Sequence, residues 1–397
     1  MAEPTLQSKN KFSTARARAG IPARARAIPL RHLALAFLLF PAITLFEACS
    51  WFTAPSKHLN DTERRRIALR IKEAIEGAGG MQVWVKVSRS APFPPAKPSV
   101  ATEVVVTSAG FPAALAALEQ QAKASSLQVK TQMTVGRKHD RTADIRLSQK
   151  GVPVGRWRLR EVSEIRRAAI IIDDLGQDLE AARKLLALPY PITCSVLPYL
   201  VHSASTAEEA HRAGREVMLH LPMEPDSAAQ PGPGELRVGM RRAEVARIIA
   251  EDLSSVPYAV GTNNHMGSRA TTDARLMAAV VQVLADRRLF FVDSRTTPAS
   301  VALGAARRQG LPTFFRSVFL DDTETVPYTL GQLHEFRRVI EERGVAVAIG
   351  HPYPSTLTAL ARFLPELERD DIQLLPASQL VRLPEVARLS PPPATGR

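Results

Sequence analysis

The stretch Ala168-Ala169-Ile170-Ile171-Ile172-Asp173-Asp174-Leu175-Gly176 decides the architecture of the larger part of this chain. Five apolar residues in a row, without polar alternation, read as a strand buried on both faces. Two carboxylates close it, and Asp178 comes next as the cap of a helix that runs to Leu188, before Pro189. The same unit recurs downstream. The sequence predicts further strands over 192–197, 216–219, 259–261, 289–292, 313–319 and 345–349, with a possible eighth over 372–375. Helical stretches such as 241–253 and 274–288, the latter capped by Asp273, lie between most of them. Seven or eight strand–helix units over 166–383 predict an α/β fold with a closed or nearly closed (β/α) barrel; an open doubly wound sheet is the alternative.

Upstream, residues 53–165 predict a small α+β domain. A helix starts at Asn60 or Asp61 and runs to about Glu76; another covers 112–125. Strands are expected over 81–87, 102–107, 128–135, 143–148 and 155–162, with a break at Pro92, Pro94, Pro95 and Pro98. No cluster of catalytic residue types falls in this part, which points to a binding or spacer role. Residues 384–397, with Pro391, Pro392 and Pro393, predict a disordered tail.

Residues 1–52 read as an address. An Arg/Ala-rich start precedes an apolar run from Leu33 to Phe46, broken by Pro41 and Thr44. Its fourteen residues fall short of the roughly 20 that span a membrane. They fit the apolar region of a secretory signal peptide. Cys49 after Ala48 resembles a lipoprotein cleavage site, whereas reading on through Phe52 gives an uncleaved membrane anchor. Export is expected, to the periplasm or to a membrane-anchored place in the cell envelope.

The 397 residues are 45% hydrophobic and 23% charged, as in ordinary globular proteins, and two cysteines exclude a disulfide scaffold or a cysteine zinc cluster. The net charge of +13 divides into +6 over 1–32, +8 over 33–165 and −1 over 166–397. The larger part is therefore neutral, and nucleic acid is not an expected partner.

The residues at the ends of the strands carry the chemistry: Asp173 and Asp174; His220; Asn263, Asn264 and His265; Asp293, Ser294 and Arg295; Asp321 and Asp322; His351 before Pro352. In a β/α barrel all these strand ends open on one face, where active sites are built. Carboxylates and imidazoles bind zinc or a similar ion, and no Gly-rich phosphate loop is present. Burying so many ionisable groups costs too much without pairing or a metal.

These motifs resemble a known family. Ile171-Ile172-Asp173-Asp174-Leu175-Gly176, Leu219-His220-Leu221-Pro222-Met223-Glu224, Asn263-Asn264-His265-Met266-Gly267-Ser268, Val292-Asp293-Ser294-Arg295-Thr296 and Gly350-His351-Pro352 look like the divergent polysaccharide deacetylases, a branch of the metal-dependent carbohydrate esterases with a distorted (β/α) barrel. The resemblance covers about 166–383. It implies Asp173 as catalytic base and Asp174 as metal ligand, adjacent residues at a strand end pointing in different directions. It implies His220 as a second ligand. The family's next histidine is replaced by Glu224, so the third ligand is His265, with Glu224 or His351 as alternatives. His351 takes the place of the general acid, oriented by Asp293, although Asp293 paired with Arg295 is an equal reading. Arg295, Arg269 and Asn264 are the substrate-binding candidates. Asp321 and Asp322 read as loop acids, and Cys194 as core. The resemblance further implies a divalent ion, zinc foremost, and removal of acetyl groups from an N-acetylated envelope polysaccharide. The alternative is an inactive relative that binds peptidoglycan or another envelope component.

Overall fold

The computed structural model describes residues 59–86, 101–137 and 139–391. The N-terminal address and the Pro-rich break lie outside them. Helix α1 (Asp61–Gly79) starts in a capping box: Asn60 accepts from the Glu63 N–H while the Glu63 carboxylate accepts from the Asn60 N–H. Strands β1 (Val83–Lys86) and β2 (Ala101–Thr107), helix α2 (Phe111–Ala124), and strands β3 (Gln128–Val135), β4 (Arg141–Gln149) and β5 (Val152–Val162) complete the small layer. Its sheet runs in the order β1-β2-β5-β4-β3, antiparallel except for β2 beside β5. Ile71 and Ile75 of α1 and Phe111 and Leu118 of α2 pack onto Val104, Ile145, Trp157 and Leu159 of one sheet face.

The second sheet is parallel throughout. Its strands are β6 (Arg166–Leu175), β7 (Thr193–Val196), β8 (Val217–Met223), β9 (Ala259–Met266), β10 (Phe290–Asp293), β11 (Thr313–Phe315), β12 (Val318–Phe319) and β13 (Val345–Gly350), in the order β11-β10-β9-β8-β7-β6-β13-β12. Helices α3 (Leu179–Leu186), α4 (Ser203–Arg212), α5 (Arg242–Ser255), α6 (Ala274–Asp286), α7 (Ala302–Arg308), α8 (Val326–Arg343) and α9 (Pro354–Arg369) connect them. The expected strand over 313–319 is split in two. Arg316 N–H donates to Asp293 on one edge of the sheet, and Ser317 N–H donates to Val347 on the other. The chain thus changes partner between these two residues, which links the edges of a curled sheet. The expected eighth strand, β14 (Ile372–Leu374), instead pairs beside the start of β6.

Period-two alternation divides the core. Ala168, Ile170 and Ile172 face the helices, as do Phe291, Ala346 and Ala348. Ala169, Ile171, Met218, Phe290, Val292, Val345, Val347 and Ile349 face inward. Leu380, Leu383 and Val386 join this inner cluster from below, alongside β14 at the foot of the strands. Residues 384–391 are therefore packed where a disordered tail was expected, the rest of which, 392–397, lies outside the described residues: Pro384–Arg388 is a short helix, and the Arg307 side chain donates to the carbonyls of Val386 and Leu389. Burying side chains of this size contributes about 1.5–3 kcal/mol each.

The small layer joins the same foot. Asp371, just ahead of β14, accepts from Lys86 and Arg160, and Arg167 at the start of β6 donates to the Met81 carbonyl. Burial works to raise the pKa of Asp371, but the two cations hold it below the usual carboxylate value.

A further buried carboxylate lies in the outer layer, apart from these ion pairs. Asp252 of α5 is wholly buried under the connection 224–241, where Gly234 has a φ of +83° and a Cβ would lie 2.1 Å from Oδ1. Among the described residues neither oxygen meets a partner at full hydrogen-bond geometry, although the Tyr199 hydroxyl lies near. Burial raises its pKa to about 7, with the nearby Tyr199 hydroxyl opposing. The folded carboxyl holds its proton more tightly than the unfolded one. Its contribution is complete below about pH 4 and is lost as pH rises to 7. Asp252→Asn is expected to exceed the parent in stability at pH 8 by on the order of a few kcal/mol and to converge with it near pH 4. Urea unfolding at both pH values checks this; a difference independent of pH contradicts it.

Candidate active site

The inward alternation carries past the apolar rows to the upper rim. Asp173 continues Ala169 and Ile171, His220 continues Met218, Ser294 continues Phe290 and Val292, and His351 continues Val347 and Ile349. On β9, Asn263 lies in register with His220 and Val292. Distant stretches therefore meet at one mouth because the strands are parallel and share a phase.

Asp174 departs from that phase. On an extended strand it would point away from Asp173. Its φ is +55°, and the pairing of β6 with β7 shifts register between Ile172 and Leu175. This left-handed turn, which costs roughly 1–2 kcal/mol in a non-glycine residue, brings both carboxylates to one imidazole. His220 Nε2 lies 3.6 Å from Asp173 Oδ2 and 3.2 Å from Asp174 Oδ1. The expectation of divergent directions is thus corrected.

Asp174, His220 and His265 form a group able to hold a metal ion. His265 Nδ1 is 3.0 Å from Asp174 Oδ1 and 3.1 Å from His220 Nε2, so the three donor atoms form a nearly equilateral triangle. Ligands at about 2.0–2.1 Å from an ion, with angles between octahedral and tetrahedral, are separated by about 3.0–3.4 Å. The residues present therefore fit a divalent cation, and the electrostatics agree. Burial works to raise the pKa of Asp174, but His220 and His265 hold it well below the carboxylate range. Burial works to lower that of His220, but Asp173 and Asp174 lift it. The pocket favours positive charge at its centre.

His351 stands on the other side of Asp174, its Nε2 3.6 Å from Asp174 Oδ2. Its orienting carboxylate is Asp321, not Asp293. Asp321 Oδ1 is 3.0 Å from His351 Nδ1, and Oδ2 accepts from the His351 N–H and the Thr356 hydroxyl. Burial opposes the imidazolium, yet Asp321 and Asp174 push the pKa of His351 up to about 9. Gly350 permits this approach, since a Cβ there would lie 2.9 Å from Asp321 Oδ2. Phe319 and Tyr353 flank the imidazole at ring-centroid distances of 5.5 and 5.4 Å.

Asp293 shares the phase of Phe291, which faces the helices, and accepts from the Ser300 hydroxyl and the Arg295 N–H. Burial raises its pKa. Asn264 is also turned from the mouth. It is buried, its Oδ1 accepts from Ser294 N–H and its amide donates to the Met266 carbonyl, which leaves neither end for substrate. Glu224 lies outside the triangle. Its carboxylate accepts from Val238 N–H and pairs with Arg269 at 2.9 Å, securing the connection 224–241 to the rim. Arg269 is thereby engaged, though half its side chain stays exposed. Arg295, at φ +49°, remains half-buried at the rim, where Arg316 donates to its carbonyl and to that of Ser294. Cys194 is buried in β7. The reading of Asp321 as a loop acid missed its contact with His351; its signal was its place two residues after the end of a strand, on the phase of Phe319.

Asp321→Ala strands three donors in a closed space. It is expected to cost about 2–4 kcal/mol in urea unfolding, whereas Asp322→Ala at the exposed neighbour costs less than about 1 kcal/mol. Equal effects would contradict the placement.

Residues 170–381 match the family described as divergent polysaccharide deacetylase. The uncharacterized protein YibQ of Escherichia coli K12 is 38% identical over 226 residues, 57% of this chain and 70% of its own length. An uncharacterized protein of Haemophilus influenzae is 37% identical over 216 residues, 54% of this chain and 77% of its own length. In structure, the uncharacterized protein ATU2773 of Agrobacterium tumefaciens C58 aligns with a TM-score of 0.52 at 22% identity, over 54% of this chain and 89% of that one, which is a likeness of fold.

Proposed function

The chain belongs to the divergent polysaccharide deacetylases, and from that premise we propose that it is a metal-dependent hydrolase removing acetyl groups from an N-acetylated envelope polysaccharide. The observation that carries this reading is the triangle of Asp174, His220 and His265, with a carboxylate and an imidazolium beside it. A divalent ion held by these three side chains, zinc in the first instance, supplies Lewis acidity toward the amide carbonyl.

The remaining work belongs to the chain. Asp173, beside His220 and outside the triangle, is placed to take the proton of the attacking water. Asp321 favours the charged form of His351, which in this scheme gives its proton to the departing amine nitrogen. Acetate and a free amino sugar result. Arg295 at the rim is the substrate contact in this scheme, and Phe319 and Tyr353 supply an apolar wall beside His351. Asp293 and Asn264 act by holding the rim in shape. Export to the envelope accords with the residues before 53. Among the described residues no helix is long and apolar enough to cross a membrane.

The full chain is expected to bind one equivalent of Zn²⁺, and His220→Ala or His265→Ala to weaken binding at least a hundredfold, measured against a chromophoric chelator. Asp173→Asn is expected to lower acetate release from acetylated chito-oligosaccharides and peptidoglycan by about 10²–10⁴-fold at saturating zinc. Zinc bound without acetate release from either probe would favour the inactive, glycan-binding alternative. No zinc binding at all would remove the metal-dependent reading.

A further inference from the structure

Asn263 of β9 is wholly buried, its side chain held between those of Asp173 and His220, and all its hydrogen-bonding capacity is used. Its amide nitrogen donates to Asp173 Oδ1 and Oδ2 at 2.8 and 3.0 Å and lies 3.2 Å from the Ser294 hydroxyl. Its oxygen accepts from the Ser195 hydroxyl at 2.6 Å and faces His220 Nδ1 at 3.0 Å. The carboxylate of Asp173 fixes which end of the amide is which, because the reverse orientation would set oxygen against oxygen. With the amide so fixed, His220 Nδ1 must carry a proton, and the lone pair of a neutral ring falls on Nε2. That is the atom aimed at Asp174 and His265. A free histidine side chain favours the opposite form, with the proton on Nε2, which would close the triangle to a cation.

We propose that Asn263 is a positioning residue that sets the tautomer of His220 and, through its other end, the aim of Asp173. One buried amide thus couples the residue taking the water proton to a ligand of the ion. The inference rests on the deacetylase reading for its effect on turnover, but not for its effect on His220.

Two variants of the full chain test it. Asn263→Ala removes both contacts; Asn263→Asp keeps an acceptor toward His220 and removes the donor to Asp173. In the metal-free chain labelled with ¹⁵N-histidine, at a pH where the ring is neutral, His220 is expected to be protonated on Nδ1. It should remain so in Asn263→Asp and shift toward the Nε2–H form in Asn263→Ala. Zn²⁺ affinity is expected to fall about 10–100-fold in Asn263→Ala and to stay within about threefold of the parent in Asn263→Asp, whose kcat for acetate release drops at least tenfold with KM little changed. An unchanged tautomer and affinity in Asn263→Ala would overturn the proposal. If that variant does not fold, Asn263→Asp decides: affinity kept with turnover lost supports it, and both kept or both lost overturns it. A zinc-loaded parent that releases no acetate defeats the deacetylase reading, while the ring-proton and affinity measurements still judge Asn263.

Discussion

Three electron pairs directed at one point repel one another unless something positive sits among them. The mouth of this barrel is arranged around that constraint. Asp174 Oδ1, His220 Nε2 and His265 Nδ1 approach to within 3.0–3.2 Å, a spacing that calls for protons or a cation among them. Only a stiff scaffold keeps them so. The stiffness comes from parallel strands filled on both faces: an inner cluster of Phe290, Val292, Val347 and their neighbours, and an outer one under the helices.

The same scaffold sorts side chains by parity. Residues in phase with the inner cluster reach the mouth, and those out of phase are used to brace it. Asp293 and Asn264 show the second fate. Both are polar, both stand at strand ends, and both are consumed by neighbouring hydroxyl or backbone groups. Asp174 escapes the rule through a single left-handed residue. A strained backbone at a candidate ligand is intelligible as the means of bringing two consecutive carboxylates to one imidazole.

Much of this was legible in the order of residues. Continuous apolar runs such as 168–172 reported buried parallel strands, and the polar residues closing them reported the rim. The split between β11 and β12 was not legible, because the run 313–319 is interrupted only by Arg316 and Ser317, whose role depends on two different edges meeting there. Asp321 was hidden for a related reason. Its partner His351 follows the end of the adjacent strand, 30 residues later, and nothing local separates a carboxylate that grips an imidazole from one that decorates a loop. The packed segment 384–391 misled through its prolines; its sparse apolar residues, Val386 and Leu389, sufficed once the foot of the barrel needed filling.

The clasp of Asp371 with Lys86 and Arg160 fixes the small layer to the end of the strands away from the triad. The two ends of the barrel therefore differ: the described contacts of the small layer fall at the foot, and the other end carries Asp174, His220 and His265. Under the deacetylase proposal, a glycan chain reaching that end would meet the strand-end loops rather than the described residues of the α+β layer.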